Sequence, residues 1–406
     1  MKTYTKLIFS KEILFVLFLY AGFYKSVVPF SGAIDITIVL LFASISITLY
    51  DTIKDGYLYK QSLISIIIFM FFIVYIFISY FYSPSAYSLT KSLHFSLTSG
   101  WAFIGSFLII KSNNSFNKVF KGIIILALIS SIFALKEYFN NTIHTQLNVF
   151  GSDYLALGRL LGISILILLA NILLIKQSIT NKIFTSMTTL FLLLILIVSG
   201  GRAPLLFLII TILIFLLFQV NLNNKTLKYN KLLPSFIVFL ITVVLIFFKS
   251  NLAIFETFKT RLLFLTTQSG GGASASGRID RLKIAFDMFK DSPIYGKGID
   301  SFSKYYGMAN DYPHNIFLEI AAELGIIGIL IFSIILIFSL YNLHLNFQKD
   351  KQNKLLCWKI FLIFIYTLLN ANISGDIIGN RMLFASLGFM IAFSNIYRHN
   401  LSINKS

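Results

Sequence analysis

Two arginines stand close together in the longest connection between hydrophobic segments of this chain. Arg278 and Arg281 are three residues apart in a segment that predicts a helix, so both guanidinium groups lie above the same surface. With the free N–H groups of a helix capped by Ser276, they could bind an anion the size of a diphosphate. The alternative is an amphipathic helix on the bilayer surface, with the arginines paired to Asp280 or to lipid phosphates.

A histidine ends the same connection. A neutral imidazole, with an ordinary pKa of ~6.5, could take the proton of a hydroxyl nucleophile, and His314 is therefore a candidate general base. Loop histidines are otherwise merely solvated. Asn315, Glu319 and Glu323 follow at four-residue steps and form one polar stripe on an apolar helix. Because carboxylates at membrane depth are costly and tend to face a cavity, Glu323 and Asn315 are candidate supporting residues; alternatively, both glutamates lie in the interfacial zone.

Two further arginines lie in short turns between hydrophobic segments. Arg202 follows Ser199, Gly200 and Gly201, and its planar fork suits bidentate phosphate binding, although it could also extend to lipid headgroups. Arg381 follows Asp376 in the last such turn. The two either pair with each other, or Arg381 adds positive charge to a binding pocket.

The elements that must position these residues are membrane helices. Of the 406 residues, 57% are hydrophobic and only 12% are charged, whereas soluble proteins carry roughly 25% charged residues. This composition excludes an ordinary soluble enzyme and a disordered chain. Hydrophobic runs of about 20 residues match the length of a helix that crosses a bilayer. The single Cys357 cannot form an intrachain disulfide, and no metal-binding motif is visible, so we expect no metal and no cofactor.

The hydrophobic runs predict an all-α polytopic membrane protein with about 12 transmembrane helices. They lie at about 12–30, 33–50, 62–82, 89–110, 118–139, 155–175, 183–199, 203–220, 232–248, 317–341, 355–373 and 380–397. The predicted domains are residues 1–248 with helices 1–9, a large outer loop at 249–315, and residues 316–406 with helices 10–12 and a cytoplasmic tail.

The distribution of Lys and Arg sets the orientation. With the N-terminus inside, 19 of the 34 Lys and Arg lie in inner segments and six in short outer ones. The large loop between helices 9 and 10 therefore faces outward. The net charge of +18 reflects inner loops, so no nucleic-acid partner is expected.

The large loop has an internal organisation of its own. Gly and Ser between 269 and 277 predict a flexible hinge. After it, Leu282, Ala285, Phe286 and Phe289 form one apolar stripe of a helix that ends near Asp291.

The order of these motifs resembles a known family. Ser199–Gly–Gly–Arg202 is followed by Gly277–Arg278–x–x–Arg281, then by Tyr312–Pro–His314–Asn315 and Glu323–Leu–Gly–Ile–Ile–Gly328. This arrangement resembles the O-antigen ligase/polymerase superfamily, and the ending Ser374–Gly–Asp376–x–x–Gly–Asn–Arg381 is most similar to Wzy-type repeat-unit polymerases.

The resemblance implies a GT-C-like fold and a glycosyltransferase of the bacterial inner (plasma) membrane. Its donor would be an oligosaccharide on undecaprenyl diphosphate, its active site would face the periplasm, and it would need no metal. Arg202, Arg278 and Arg281 would engage the diphosphate, and His314 would activate the acceptor hydroxyl. Membrane lipids and a chain-length regulator are the further candidate partners.

Three functions stay open at this point. The first is polymerisation of lipid-linked repeat units into O-antigen or a related surface polysaccharide. The second is ligation of the finished polymer to lipid A-core. The third is a flippase or transporter for lipid-linked oligosaccharides, which is disfavoured because no paired midspan charges or Gly-interrupted helices are evident.

Overall fold

The structure is a computed structural model and is helical almost throughout. It describes residues 10–27, 35–140, 147–218, 221–223, 226–228, 271–309, 311–347 and 351–403. The first eight helices are α1 Lys11–Tyr24, α2 Ile36–Asp55, α3 Lys60–Tyr80, α4 Ser88–Ile109, α5 Asn113–Asn140, α6 Tyr154–Leu174, α7 Ile179–Val198 and α8 Arg202–Leu217. A short antiparallel hairpin follows, β1 Asn221–Asn223 and β2 Thr226–Lys228. The remaining helices are α9 Gly271–Asp291, α10 Ser301–Tyr306, α11 Ile316–Phe347, α12 Lys351–Ala371 and α13 Arg381–Ile403.

Helices occur where the sequence predicts membrane spans. Within the described ranges, eight helices are long and apolar enough to cross a membrane, namely α2 to α7, α11 and α12. The shorter α8 is also apolar. Eleven of the twelve predicted spans coincide with helices α1–α8 and α11–α13, and the ninth, 232–248, lies outside the described residues. The protein is therefore polytopic, and the total of twelve spans stays a prediction.

The chain divides into two compact units. The first contains Met1–Ile123, Ser276–Ile360 and Thr367–Ser406, and the second contains Ile124–Ala275 and Phe361–Tyr366. In the second unit, α6 packs closely on its neighbours through glycines. A side chain at Gly162 would overlap the Tyr366 hydroxyl, and one at Gly158 would overlap Pro204 of α8.

An aromatic cluster forms the core of the first unit. Phe69 stacks on Phe103 with ring centroids 4.7 Å apart, and Phe384 contacts Phe95 edge to face at 5.3 Å. All four side chains are buried. Offset and edge-to-face contacts of this kind are worth about 0.5–1.5 kcal/mol each beyond the burial of apolar area.

Helix α4 contains a π-helical turn. Ser88–His94 and Gly100–Ile109 are α-helical, and Phe95–Ser99 between them is a π turn. A π turn holds one residue more than an α-helical turn and is frequent at functional sites. The segment before this turn carries Lys91, and the segment after it packs against Gly388 of α13, where a side chain would overlap the Phe103 carbonyl.

Helix α11 is interrupted at Gly325. This residue has φ 64° and ψ −163°, outside the helical range, so residues 316–324 form a separate half-helix. We call it the outer half-helix, because the distribution of Lys and Arg predicts that its end of α11 faces outward. Because Gly tolerates positive φ without a steric penalty, it suits this break. A side chain at Gly325 would also overlap the Ile294 carbonyl. The expectation that the spans lack a Gly interruption is therefore wrong.

The loop helix α9 begins earlier than predicted. It starts at Gly271, so the predicted hinge over 269–277 is wrong for residues 271–277, and Ser276 is not its N-cap. The predicted apolar stripe is also displaced. Ala285 and Met288 are buried against Phe302 and Ala322, whereas Leu282 and Phe286 are exposed.

Candidate functional site

His314 is held at the start of α11 in an unusual backbone conformation. Its φ is 59°, in the left-handed region that few residues other than Gly adopt. The next residue, Asn315, caps the helix, because its side-chain oxygen accepts a hydrogen bond from the Leu318 N–H at 3.0 Å. The cap fixes the helix start, and His314 is presented immediately before it. Asn315, predicted as a supporting residue, therefore has a defined structural contact.

The imidazole of His314 lies in a half-buried position beside Tyr312. The two ring centroids are 4.3 Å apart, and the buried Nδ1 accepts no hydrogen bond from any described residue. Burial, followed by the positive charges of Arg281 and Arg278, lowers the pKa of His314 below its ordinary value of 6.5, while Asp311 opposes the shift. A lowered pKa keeps the ring neutral at pH 7 and able to accept a proton.

Arg281 makes a bidentate ion pair with Asp311. Its Nε donates to Asp311 Oδ1 at 2.9 Å, its Nη2 donates to Oδ2 at 2.7 Å, and its Nη1 donates to the Gly277 carbonyl at 3.0 Å. The guanidinium also lies 4.8 Å from the ring centroid of Tyr306. Hydrogen bonds from Arg281 and the Tyr312 N–H lower the pKa of Asp311, although burial acts in the opposite direction. All three guanidinium nitrogens therefore have partners inside the chain.

Arg278 differs from Arg281 in being exposed. It lies one turn before Arg281 on α9, and its charge lowers the pKa of His314. Because α9 begins at Gly271, Arg278 is two turns inside the helix, and the free N–H groups of the helix start do not contribute beside it. The predicted contribution of the helix N-terminus is therefore wrong, while the guanidinium itself is available to an anion.

A buried ion cluster lies one turn further along α11. The Lys91 ammonium donates to Glu319 Oε1 at 2.8 Å and to Glu323 Oε2 at 3.1 Å, and it lies 3.8 Å from Asp300 Oδ1. We call these four residues the Lys91 cluster. All four are buried, so the glutamates do not lie in a solvated interfacial position. Lys91, Glu319 and Glu323 lie in the first turns of their helices, so the expectation of no paired midspan charges is not tested by this cluster. Lys91 is one of the six Lys and Arg of the short outer segments, and the sequence predicts no role for it.

The turn after α9 is bound into the break of α11. We call residues 292–302 the docked turn. The N–H groups of Lys297 and Gly298 donate to the carbonyls of Ala322 and Glu323 at 2.9 and 2.8 Å, and the Ile326 N–H donates to the Pro293 carbonyl at 2.8 Å. The loop backbone thus satisfies polar groups that the interruption removes from the helix, as a membrane helix requires.

Helix α3 and the residues after it hold the docked turn from the other side. The Tyr82 hydroxyl donates to the Tyr295 carbonyl at 2.8 Å, the Ser83 hydroxyl to the Ile299 carbonyl at 2.6 Å, and the Ser85 hydroxyl to Asp300 Oδ2 at 2.6 Å. Hydrogen bonds between segments more than 200 residues apart fix this part of the loop.

The last turn of the chain contacts the same half-helix. The Ile377 N–H donates to Glu319 Oε2 at 3.0 Å, and the Asn315 amide donates to the Asn372 carbonyl at 3.4 Å. Arg381 begins α13 with its guanidinium 5.7 Å from the Phe18 ring centroid, and its buried Nη1 has no hydrogen-bond partner among the described residues. Asp376 instead accepts the Gly379 N–H at 2.7 Å. A role of Arg381 in a binding pocket stays a prediction.

Arg202 lies in the second unit, at the first position of α8. Gly200 before it has φ 77°, and the Arg202 N–H donates to the Gly200 carbonyl at 3.0 Å. The Ser199 hydroxyl is bound to the Leu196 carbonyl at 2.8 Å. The Ser–Gly–Gly segment is therefore the tight turn that the sequence predicts, and it places Arg202 at a helix start.

Comparison with protein-family models gives a match to this chain. A family model described as O-antigen ligase matches residues 187–333, a range that includes Arg202, Arg278, Arg281 and His314. No curated protein matches the chain. Among the described residues, no group of three or more His, Cys, Asp or Glu side chains is arranged to hold a metal ion. The match supports the resemblance of the motifs to the O-antigen ligase/polymerase superfamily, whose members are membrane glycosyltransferase-like enzymes, over residues 187–333.

Proposed function

We propose that the protein polymerises undecaprenyl-diphosphate-linked oligosaccharide repeats at the periplasmic face of the bacterial inner membrane. The observation that carries the proposal is His314, whose Nδ1 is buried without a partner among the described residues and whose pKa is lowered beside Arg278 and Arg281. A neutral imidazole beside fixed cations suits a reaction that removes a proton from an alcohol and generates an anionic leaving group.

His314 acts as the general base in this proposal. It accepts the proton of an acceptor sugar hydroxyl while the oxygen attacks the anomeric carbon of the donor glycan. The bond between that carbon and the diphosphate oxygen breaks, and undecaprenyl diphosphate leaves as an anion. General-base catalysis of this type contributes ~10²–10⁴ in rate.

Arginine side chains stabilise the departing diphosphate. Arg278 is exposed on α9 and free to bind an oxyanion. The role of Arg202 as a diphosphate ligand stays a prediction from the sequence. Arg281 was predicted in the same role, but its nitrogens already bind Asp311 and Gly277. We therefore propose that Arg281 holds the segment that carries His314, and that Arg278 makes the direct contact. Removal of one such donor typically costs ~10²–10³ in rate.

Ligation of the polymer to lipid A-core is the second candidate. The matching family model is described as O-antigen ligase, and the same base and cations would serve either acceptor. The resemblance of the segment Ser374–Arg381 to repeat-unit polymerases favours polymerisation. Lipopolysaccharide extracted from deletion strains distinguishes the two functions. Loss of a polymerase leaves a core that carries single repeat units, whereas loss of a ligase leaves a core that carries no repeat unit.

A transporter is less well supported, despite the interrupted helix and the paired charges. In transporters, broken backbone commonly coordinates a substrate or an ion. Here the Ala322 and Glu323 carbonyls accept hydrogen bonds from the docked turn instead. The site-directed variants below test the enzyme directly against this alternative.

The decisive experiment is turnover of a purified lipid-linked repeat by Arg278→Ala and His314→Ala in nanodiscs. We expect losses of ~10²–10³ and ~10²–10⁴ respectively. Arg278→Lys should recover little, because an ammonium does not reproduce the bidentate fork. Lys283→Ala is the matched control, since it removes an exposed cation from the same helix and should retain activity. Normal turnover by both alanine variants, at equal concentrations of protein and of the lipid-linked repeat, would refute the proposal.

A further inference from the structure

The Lys91 cluster joins three parts of the first unit that are far apart in sequence. Lys91 comes from α4, Asp300 from the docked turn, and Glu319 and Glu323 from the outer half-helix of α11. The side chains of Lys91 and the two glutamates are only 3%, 1% and 1% exposed. Water therefore does not screen these charges, and their mutual contacts decide whether the three parts can stay together.

Lys91 is the cation in a group of buried carboxylates. Glu319, Glu323 and Asp300 surround its ammonium, and Asp376 adds to the negative charge around it. The cluster is neutral only when some of these carboxyls carry protons. Removal of the ammonium would leave buried like charges facing one another, which is strongly unfavourable.

The carboxylates also hold the backbone of the surrounding segments. Glu323 Oε1 accepts the Phe302 N–H of the docked turn at 3.4 Å, and Glu319 Oε2 accepts the Ile377 N–H at 3.0 Å. The outer half-helix is short, because it begins two residues after His314 and is interrupted at Gly325. These side chains and the hydrogen bonds to the docked turn hold it in place.

We propose that Lys91 is a positioning residue, which locks the docked turn and the outer half-helix together and thereby fixes the direction in which His314 is presented. This inference rests on the catalytic role proposed for His314. Lys91 does not contact the substrate in this scheme. It acts through Glu319 and Glu323, and its charge, rather than its volume, is the property that matters.

The test compares Lys91→Met with the triple variant Lys91→Met, Glu319→Gln, Glu323→Gln. The single variant removes the cation and leaves the carboxylates unpaired, whereas the triple variant removes the charges of both glutamates as well. Replacement of a buried ion pair or triad by neutral groups is often tolerated, while removal of one partner is not. The triple variant neutralises the three residues in direct hydrogen-bond contact and leaves Asp300, which is farther from the ammonium and keeps its hydrogen bond from the Ser85 hydroxyl. Lys359→Met is the matched control, because Lys359 is also a buried lysine but lies on α12, near the Phe120 ring.

Trypsin cleavage after Lys297 reports docking without any glycosyl transfer. In the docked turn the Lys297 and Gly298 N–H groups are both bound to α11, so cleavage requires the turn to open. Cleavage should be ~10²-fold faster or more in Lys91→Met and close to the wild-type rate in the triple variant and in Lys359→Met. In the single variant kcat should fall while KM for the donor changes little, and kcat should recover in the triple variant.

Two results would overturn the inference. One is a wild-type cleavage rate in Lys91→Met. The other is a triple variant that is no better than the single one, which would mean that the lysine contributes volume rather than charge. If Lys91→Met does not fold, recovery of folded protein by the triple variant supports the charge argument, and failure of both refutes it. An active His314→Ala variant would refute the proposed function. The cleavage result would then still report whether Lys91 holds the docked turn against α11.

Discussion

The first unit contains two ion groups that lie in very different environments. Arg281 and Asp311 form a bidentate pair whose side chains are 19% and 11% exposed. Lys91 and its glutamates are almost completely buried. The pair next to His314 is partly in contact with water, whereas the Lys91 cluster is not. The residues that could contact a substrate are thus held in place by an ion cluster that is closed to solvent.

This difference predicts which ion group matters for stability and which for chemistry. A buried pair that loses one partner costs the full penalty of an uncompensated charge, while a partly hydrated pair loses much less. Stability should depend most on the Lys91 cluster, and the pH dependence of the reaction should depend most on the groups around His314.

The largest effect is expected from Lys91→Met compared with Arg281→Met. Removal of the buried ammonium should lower the free energy of unfolding by ~3–5 kcal/mol, because three carboxylates lose their cation. Loss of the Arg281 hydrogen bonds should cost only ~1–3 kcal/mol. Denaturant unfolding of both variants in the same detergent measures the difference. Equal losses would show that burial does not separate the two groups.

The next effect concerns two glycines with positive φ. Gly325→Ala should destabilise by ~2–4 kcal/mol, because positive φ with extended ψ, a combination open essentially only to Gly, and overlap with the Ile294 carbonyl add together. Gly307→Ala is the control: its φ is 79°, but a side chain there meets no atom within 4 Å, so only ~1–2 kcal/mol is expected. Similar losses in the two variants would argue against close docking of the turn at α11.

The pH dependence of transfer should move in opposite directions in two variants near His314. Arg278→Gln removes a positive charge and raises the pKa of His314, so the acid limb of the pH–rate profile moves to higher pH. Asp311→Asn removes a negative charge and lowers that pKa, so the limb moves to lower pH. Profiles normalised to their own plateau measure the shift. Movement in the same direction would exclude His314 as the group that titrates.

The smallest effect is expected on the exposed face of α9. Lys290 and Asp287 are 3.7 Å apart, with side chains 60% and 69% exposed. Lys290→Ala should change the free energy of unfolding by less than ~1 kcal/mol, because water and salt screen such pairs. The same unfolding experiment measures it. A loss of unfolding free energy well above this value would indicate that this face of α9 contacts another molecule in the sample.

The sequence was informative about elements and motifs. Hydrophobic runs placed the helices because a span must bury its own backbone bonds, and turn chemistry identified the Ser199–Gly200–Gly201 segment. The candidate histidine and arginines follow from residue type and order, and their roles stay predictions. The start of α9 was missed because Gly and Ser have low helix propensity, and the contacts of the folded chain override it here.

The partners of charged residues were not predictable in the same way. Lys91 and Glu319 are 228 residues apart, and Arg281 and Asp311 are 30 apart, so no local periodicity connects them. One clue was available for the cluster, since a lysine near a span end and two glutamates on a facing helix need compensation in an apolar medium. Which lysine compensates which glutamate depends on the packing of α4 against α11.

The π turn of α4 limits which changes in sequence length the Lys91 cluster can tolerate. Each residue of an α-helix rotates the chain by about 100° around the helix axis. The additional residue in the π turn Phe95–Ser99 therefore changes the direction in which Lys91 points relative to the side chains of Gly100–Ile109. Deletion of a single residue after Phe95 would leave the Gly100–Ile109 segment in register but rotate Lys91, and Phe95 with it, away from their partners. The length of that one turn thus sets the orientation of Lys91 relative to the helix segment that follows the turn.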